Sequence, residues 1–135
     1  MDEMTLRVPV GVKSILTTQL RNQLKTEMEE ALKNIDLELQ QLEFQAKRMI
    51  AEQSKVNPDN LPRLYDHLDA ERFKRLDFQR ETQERLERLE KLEIGSEISQ
   101  GTLDRTVTLK IGDDLHKFMG AEILLEDGKI VAFRM

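Results

Sequence analysis

Ser54-Lys55-Val56-Asn57-Pro58-Asp59-Asn60-Leu61-Pro62 divides two helix-forming blocks of nearly equal length. Proline lacks the N–H that a helix interior needs, and Asn and Asp bond their own backbone in turns. A connection of this length and composition suits the return of an antiparallel helical pair. The blocks run from Thr18 to about Gln53 and from Pro62 to about Glu93. Pro62 fits the first turn of the second helix, where its missing donor has no intrahelical partner to lose.

In the first block Leu20, Leu24, Met28, Leu32, Ile35, Leu39, Leu42, Ala46 and Met49 recur at spacings of four and three. That rhythm gives a helix one apolar stripe, and from Met28 onward it is the heptad rhythm. Leu37 and Phe44 lie off the stripe, seven residues apart, on a second line. A helix with one neighbour needs one stripe, so the second line predicts another packing partner, most simply another copy of the chain. The second block is less regular. Leu61, Leu64, Tyr65 and Leu68 make an apolar face near the turn, and Leu86, Leu89 and Leu92 make one at the far end. Between them the continuing positions hold Arg72, Arg75, Gln79 and Thr82, while Phe73, Leu76 and Phe78 point elsewhere. Either the register shifts there or the seam is polar. Glu71–Arg75, Glu84–Arg88 and Glu87–Lys91 have the favourable i, i+4 order, each contributing about 0.2–0.5 kcal/mol to a helix.

Strand-like sequence flanks both blocks. Leu6, Val8, Val10 and Val12 alternate with Arg7, Pro9, Gly11 and Lys13, the pattern of a half-buried strand over Thr5–Val12. Pro9 cannot donate to a ladder and predicts an edge or a bend. Ser14, Thr17 and Thr18 offer helix-capping oxygens. After Gly95-Ser96 the tail reads as strands at Glu97–Gln100, Leu103–Ile111, Ala121–Leu125 and Lys129–Arg134, with one helical turn over Asp114–Met119. Asp127-Gly128 between apolar runs is a two-residue hairpin signal. So few residues make a sheet that is marginal alone, and the N-terminal strand would complete it. The predicted fold is α+β. A long antiparallel α-helical hairpin, read as a coiled coil, spans residues 18–93. A small β-sheet or partial barrel is built from residues 1–17 and 94–135.

The composition agrees with long helices. Of 135 residues 35% are charged and 4% aromatic, with no Trp, so a narrow seam is buried and the rest solvated. Net charge is -5, which argues against a whole-chain nucleic-acid footprint. Cysteine is absent, which excludes disulfides, thiolate catalysis and Cys-based metal sites. The start has no signal-peptide pattern and no apolar run approaches a bilayer span, so a cytoplasmic protein without membrane insertion is expected.

Nucleophile elbows, phosphate loops, dinucleotide fingerprints and zinc-protease motifs do not occur in the sequence. His67 and Glu71, with Asp66 nearby, lack further ligands and read as solvated helix surface. His116 beside Asp113 and Asp114, and Glu126-Asp127, read as turn chemistry. Asn57-Pro58-Asp59-Asn60 reads as a plain turn. The expectation is no catalytic, metal-ligating or cofactor-binding residue.

Val10-Gly-Val-Lys-Ser-Ile-Leu-Thr17, a charged helical middle, Lys110-Ile-Gly-Asp-Asp-Leu115 and Ala121-Glu-Ile-Leu-Leu-Glu-Asp-Gly-Lys-Ile-Val131 resemble the YlqD-type family of small bacterial proteins. The resemblance covers essentially the whole chain, and its motifs are strands, turns and a hairpin. It implies a fold and carries over no active residue. The functional expectation is a non-enzymatic interaction or scaffold protein, a homo-oligomer or the partner of another protein, working through Leu37, Phe44, Phe73 and Phe78. The alternative is an RNA- or ribosome-associated module whose β piece offers Lys110, Lys117, Lys129 and Arg134 to phosphates.

Overall fold

A computed structural model describes residues Asp2–Met135. The elements are β1 (Glu3–Ile15), α1 (Thr18–Val56), a 3-10 turn (Pro58–Asn60), α2 (Leu61–Lys91), β2 (Glu97–Lys110), a second 3-10 turn (Leu115–Phe118), β3 (Glu122–Glu126) and β4 (Lys129–Arg134). Two compact units result. One holds Gln23–Lys91, and the other holds the described part of Met1–Asn22 with Leu92–Met135.

In the helical unit the apolar stripe of α1 is buried at Ile35, Leu42 and Ala46. Leu42 and Ala46 cluster with Leu68 of α2, and Ile50 and Leu64 pack against them. The stripe therefore leaves Ala46 through Ile50, and the expected Met49 is exposed. On α2 the apolar ends join without a register shift. Leu68, Thr82, Leu86 and Leu89 are buried, and Arg72, Arg75 and Gln79 are half-buried between them. The seam is polar because both arginines have carboxylates to meet. Arg72 Nε donates to Glu43 on α1 at 2.5 Å, and Arg75 lies 3.9 Å from Glu38 and 2.9 Å from Glu71. The Glu43 carboxylate raises the Arg72 pKa above its ordinary value. Hydrogen bonds from Arg75, then Lys74, hold the Glu71 carboxyl below its own.

In the other unit the described strands form an open four-stranded sheet of order β2-β1-β3-β4, not a closed barrel. β1 pairs antiparallel with β2 from Glu3↔Lys110 to Ile15↔Glu97, and parallel with β3 from Gly11↔Glu122 to Ser14↔Leu125. Both β1 and β2 are longer than their sequence patterns suggest. The two expected strands at Glu97–Gln100 and Leu103–Ile111 are one, because Val12 faces Gly101 while Lys13 faces Ser99, leaving Gln100 as a bulge. Gly101 absorbs the distortion at φ 122°. Pro9 lies on a strand that is interior by order, yet it keeps the logic of an edge. The Gly11 N–H points to β3 and bonds Ala121 O at 2.9 Å. Pro9, two residues earlier, faces the same side before β3 begins, so no ladder donor is lost. Asp127 and Gly128 both have positive φ, 48° and 83°, as the tight β3–β4 hairpin requires.

The junctions between strands and helices are bonded to each other. The Leu16 N–H donates to Ser96 O at 2.7 Å, and Leu16 O accepts from the Gly95 N–H at 2.8 Å. The Leu16 side chain is fully buried. Thr17 caps α1, its Oγ1 accepting from the Leu20 N–H at 3.1 Å, and its hydroxyl donates to Asp127 Oδ1 at 2.6 Å. Of the three capping residues read from sequence, this one takes the role. Leu16→Ala should cost about 2–5 kcal/mol in urea unfolding. Phe73→Ala, removing a side chain 68% exposed, should change stability by no more than about 0.5 kcal/mol.

Candidate functional site

The four residues singled out on the helices all have exposed side chains. Leu37 and Phe44 on α1 are 49% and 65% exposed, and Phe73 and Phe78 on α2 are likewise exposed. They do not form one patch. At about 100° per residue, Leu37 and Phe44 sit roughly 140–160° around α1 from Leu42. By the same count Phe73 sits about 140° around α2 from Leu68. Each therefore faces away from the neighbouring helix, on opposite sides of the pair. Phe78 lies on a flank, where it borders a groove of about 440 Å³ with Ala31, Asn34, Ile35, Glu38 and Arg75.

The sheet carries a second surface. Strand alternation puts Val8, Val10 and Val12 of β1 on one face, opposite Arg105, Leu103 and Gly101 of β2. Val12 pairs with Ile123, and Ile123 with Phe133, which carries this row through β3 and β4. A groove of about 330 Å³ opens on it, lined by Val10, Leu103, Arg105, Ile123, Phe133 and Met135. Asp104, Glu122 and Arg134 also border it. Their parity aims those side chains at the opposite face, since Asp104 pairs with Pro9 and Glu122 with both Gly11 and Arg134. On that opposite face Lys13 meets Glu122 at 2.7 Å, and Arg134 holds Glu97 through both carboxylate oxygens. The Arg134 bonds, and to a smaller degree Lys13, hold the Glu97 carboxyl below its ordinary value.

Arg105 occupies an apolar position of the alternating run Leu103-Asp-Arg-Thr-Val-Thr-Leu109. It donates to Phe118 O at 3.1 Å and to the Met135 sulfur at 3.7 Å, and its Nε is enclosed without an acceptor. Arg105 is not among the residues expected to function. The available signal was a cation standing where alternation calls for an apolar side chain. Of the cations considered for phosphate contact, Arg134 is already engaged by Glu97.

Four of the acidic residues weighed as ligands, Glu71, Asp113, Asp114 and Asp127, have local partners. Glu71 bonds Arg75 and Lys74. Asp113 accepts from the Lys110 N–H at 2.7 Å and Asp114 from the His116 N–H at 3.0 Å. Asp127 takes the Thr17 hydroxyl. Among the described residues no three His, Asp or Glu side chains come together as a metal cage, and no helix is long and apolar enough to cross a membrane.

Comparison with known proteins gives a consistent result. The family described as YlqD protein matches residues 4–134. A Bacillus subtilis (strain 168) relative, named Uncharacterized protein YlqD, is 27% identical over 128 residues, covering 93% of this chain and 94% of the relative. A crystal structure of a protein of unknown function from Synechococcus sp. WH 8102 superposes with a TM-score of 0.87 at 20% identity. That match covers 98% of this chain and 95% of the other, and it speaks to the fold alone.

The Glu97–Arg134 pair makes a pH prediction. A depressed folded pKa stabilises the sheet above the ordinary glutamate value, near 4.5. That contribution is lost as pH falls through the lower folded value. Glu97→Gln should therefore flatten the fall in urea midpoint between pH 6 and pH 3, by an amount that shrinks in high salt because the pair is exposed.

Proposed function

The chain belongs to the YlqD family, and from the surfaces its fold exposes we propose that it acts as a non-enzymatic interaction protein, assembling through the outward Leu37–Phe44 line of α1. One observation carries this reading. α2 turns arginines, a glutamine and a threonine toward α1 and leaves Phe73, Leu76 and Phe78 exposed, while α1 exposes Leu37 and Phe44. A lone hairpin gains more by the reverse arrangement. Side chains kept outward in this way are explained by a surface that covers them.

The Leu37–Phe44 line is the part that suits a second copy, since two α1 helices can lay equivalent lines against each other about a two-fold axis. Fully burying a Leu or Phe contributes about 1.5–3 kcal/mol, and these two are already partly covered. Association costs an estimated 4–15 kcal/mol, so the line alone would hold two copies weakly. The assembly is therefore concentration-dependent.

Sedimentation or light scattering across a concentration series tests the proposal. The wild-type chain should rise in average mass with concentration, and Leu37→Glu with Phe44→Glu should stay monomeric at every concentration. Equal masses for the two proteins throughout would rule out assembly through this line.

A further inference from the structure

We propose that the groove on the sheet is a binding site for a small apolar carboxylate, with Arg105 as the group that receives the carboxylate. The inference does not rest on the hairpin. One face of the sheet carries an unbalanced charge. Side chains from all four strands line the groove, and those aimed into it are apolar except Arg105.

The other charged residues along its border point to the opposite face. Two of them are neutralised there, Glu122 by Lys13 and Arg134 by Glu97. Arg105 has no such partner. Among the described residues no carboxylate lies within ion-pair distance of it.

The guanidinium is half out of water, a costly position for a cation met only by neutral acceptors. One of those acceptors is a carbonyl. The other is a thioether, which is weak and belongs to an adaptable side chain. A carboxylate arriving in the groove would take the donor now spent on the Met135 sulfur, completing a charge-assisted pair. The apolar body of the same ligand would lie over Val10, Ile123 and Phe133.

Size narrows the class. About 330 Å³ lies at the small end of ligand sites, which fits a medium-chain acyl carboxylate better than a folded partner.

The test uses the full chain and decanoate, titrated below its micelle concentration and followed by two-dimensional NMR. Saturable binding is expected, with shifts centred on Val10, Ala121 and Ile123. Arg105→Gln should weaken it about tenfold or more, as should replacing decanoate by decan-1-ol on the wild-type protein. The alcohol comparison needs no variant, so it stands even if Arg105→Gln disturbs the bond to Phe118. Leu103→Trp, which fills the groove from an exposed wall and keeps Arg105, should also abolish binding. The paired Leu37→Glu and Phe44→Glu substitutions should leave it unchanged. The proposal is overturned by absence of saturable binding, by equal affinity for acid and alcohol, or by shifts centred on Ile35 and Phe78.

Discussion

Leu16 joins the two places where the chain passes between strand and helix. Its amide and carbonyl bond to Ser96 and Gly95, and its side chain has no exposure at all. With those two bonds the end of β1 and the start of β2 are held side by side, and the long ladder from Ile15↔Glu97 to Glu3↔Lys110 follows in register. Thr17 extends the clamp, its one hydroxyl serving both the first turn of α1 and the β3–β4 turn at Asp127. A capping residue, which is ordinarily local, here also fixes a hairpin far along the chain.

Away from that clamp the two units divide the usual duties unevenly. The helical seam is apolar at Leu42, Ala46 and Leu68 and ionic further along, at Arg72 and Arg75. An ionic seam contributes little net stability in water, because each charge gives up solvation for its partner. It can still discriminate between registers, since sliding one helix turn would separate Arg72 from Glu43. The sheet works differently. One face pairs Lys13 with Glu122 and Arg134 with Glu97, and along the groove the other is apolar apart from Arg105.

Much of this architecture was readable in the residues. The Pro/Asn segment, the three-and-four spacing, the alternation in β1 and the Asp127-Gly128 turn each report a local preference, and each is realised. The differences have physical causes. Gly101 looked like a break between strands because local sequence cannot show that a partner strand will carry the chain across a bulge. Met49 gave way to Ile50 because the spacing of a stripe drifts against a true helical turn. The polar middle of α2 could be read in two ways until the acidic residues of α1 were placed opposite it. Pro9 signalled an edge, and β1 is an edge at that one level. Leu37, Phe44, Phe73 and Phe78 were recognisable as outliers, but their separation onto different faces is a property of two helices together. The sheet groove was hidden altogether, since it needs four strands in register and depends on one arginine in an apolar run.

The pairing of β1 with β2 also has a consequence in time. Ile15 meets Glu97 across an intervening loop of about eighty residues, and closing so long a loop from an unfolded chain costs entropy before any contact repays it. Helices form fast and from local contacts, whereas such a ladder is slow. Once α1 and α2 have folded against each other, the slack between the strands is gone and only the short junctions at Leu16 and Gly95 remain to be ordered. A folded hairpin thus lowers the entropy cost of closing the sheet, a contribution that lies in no strand residue.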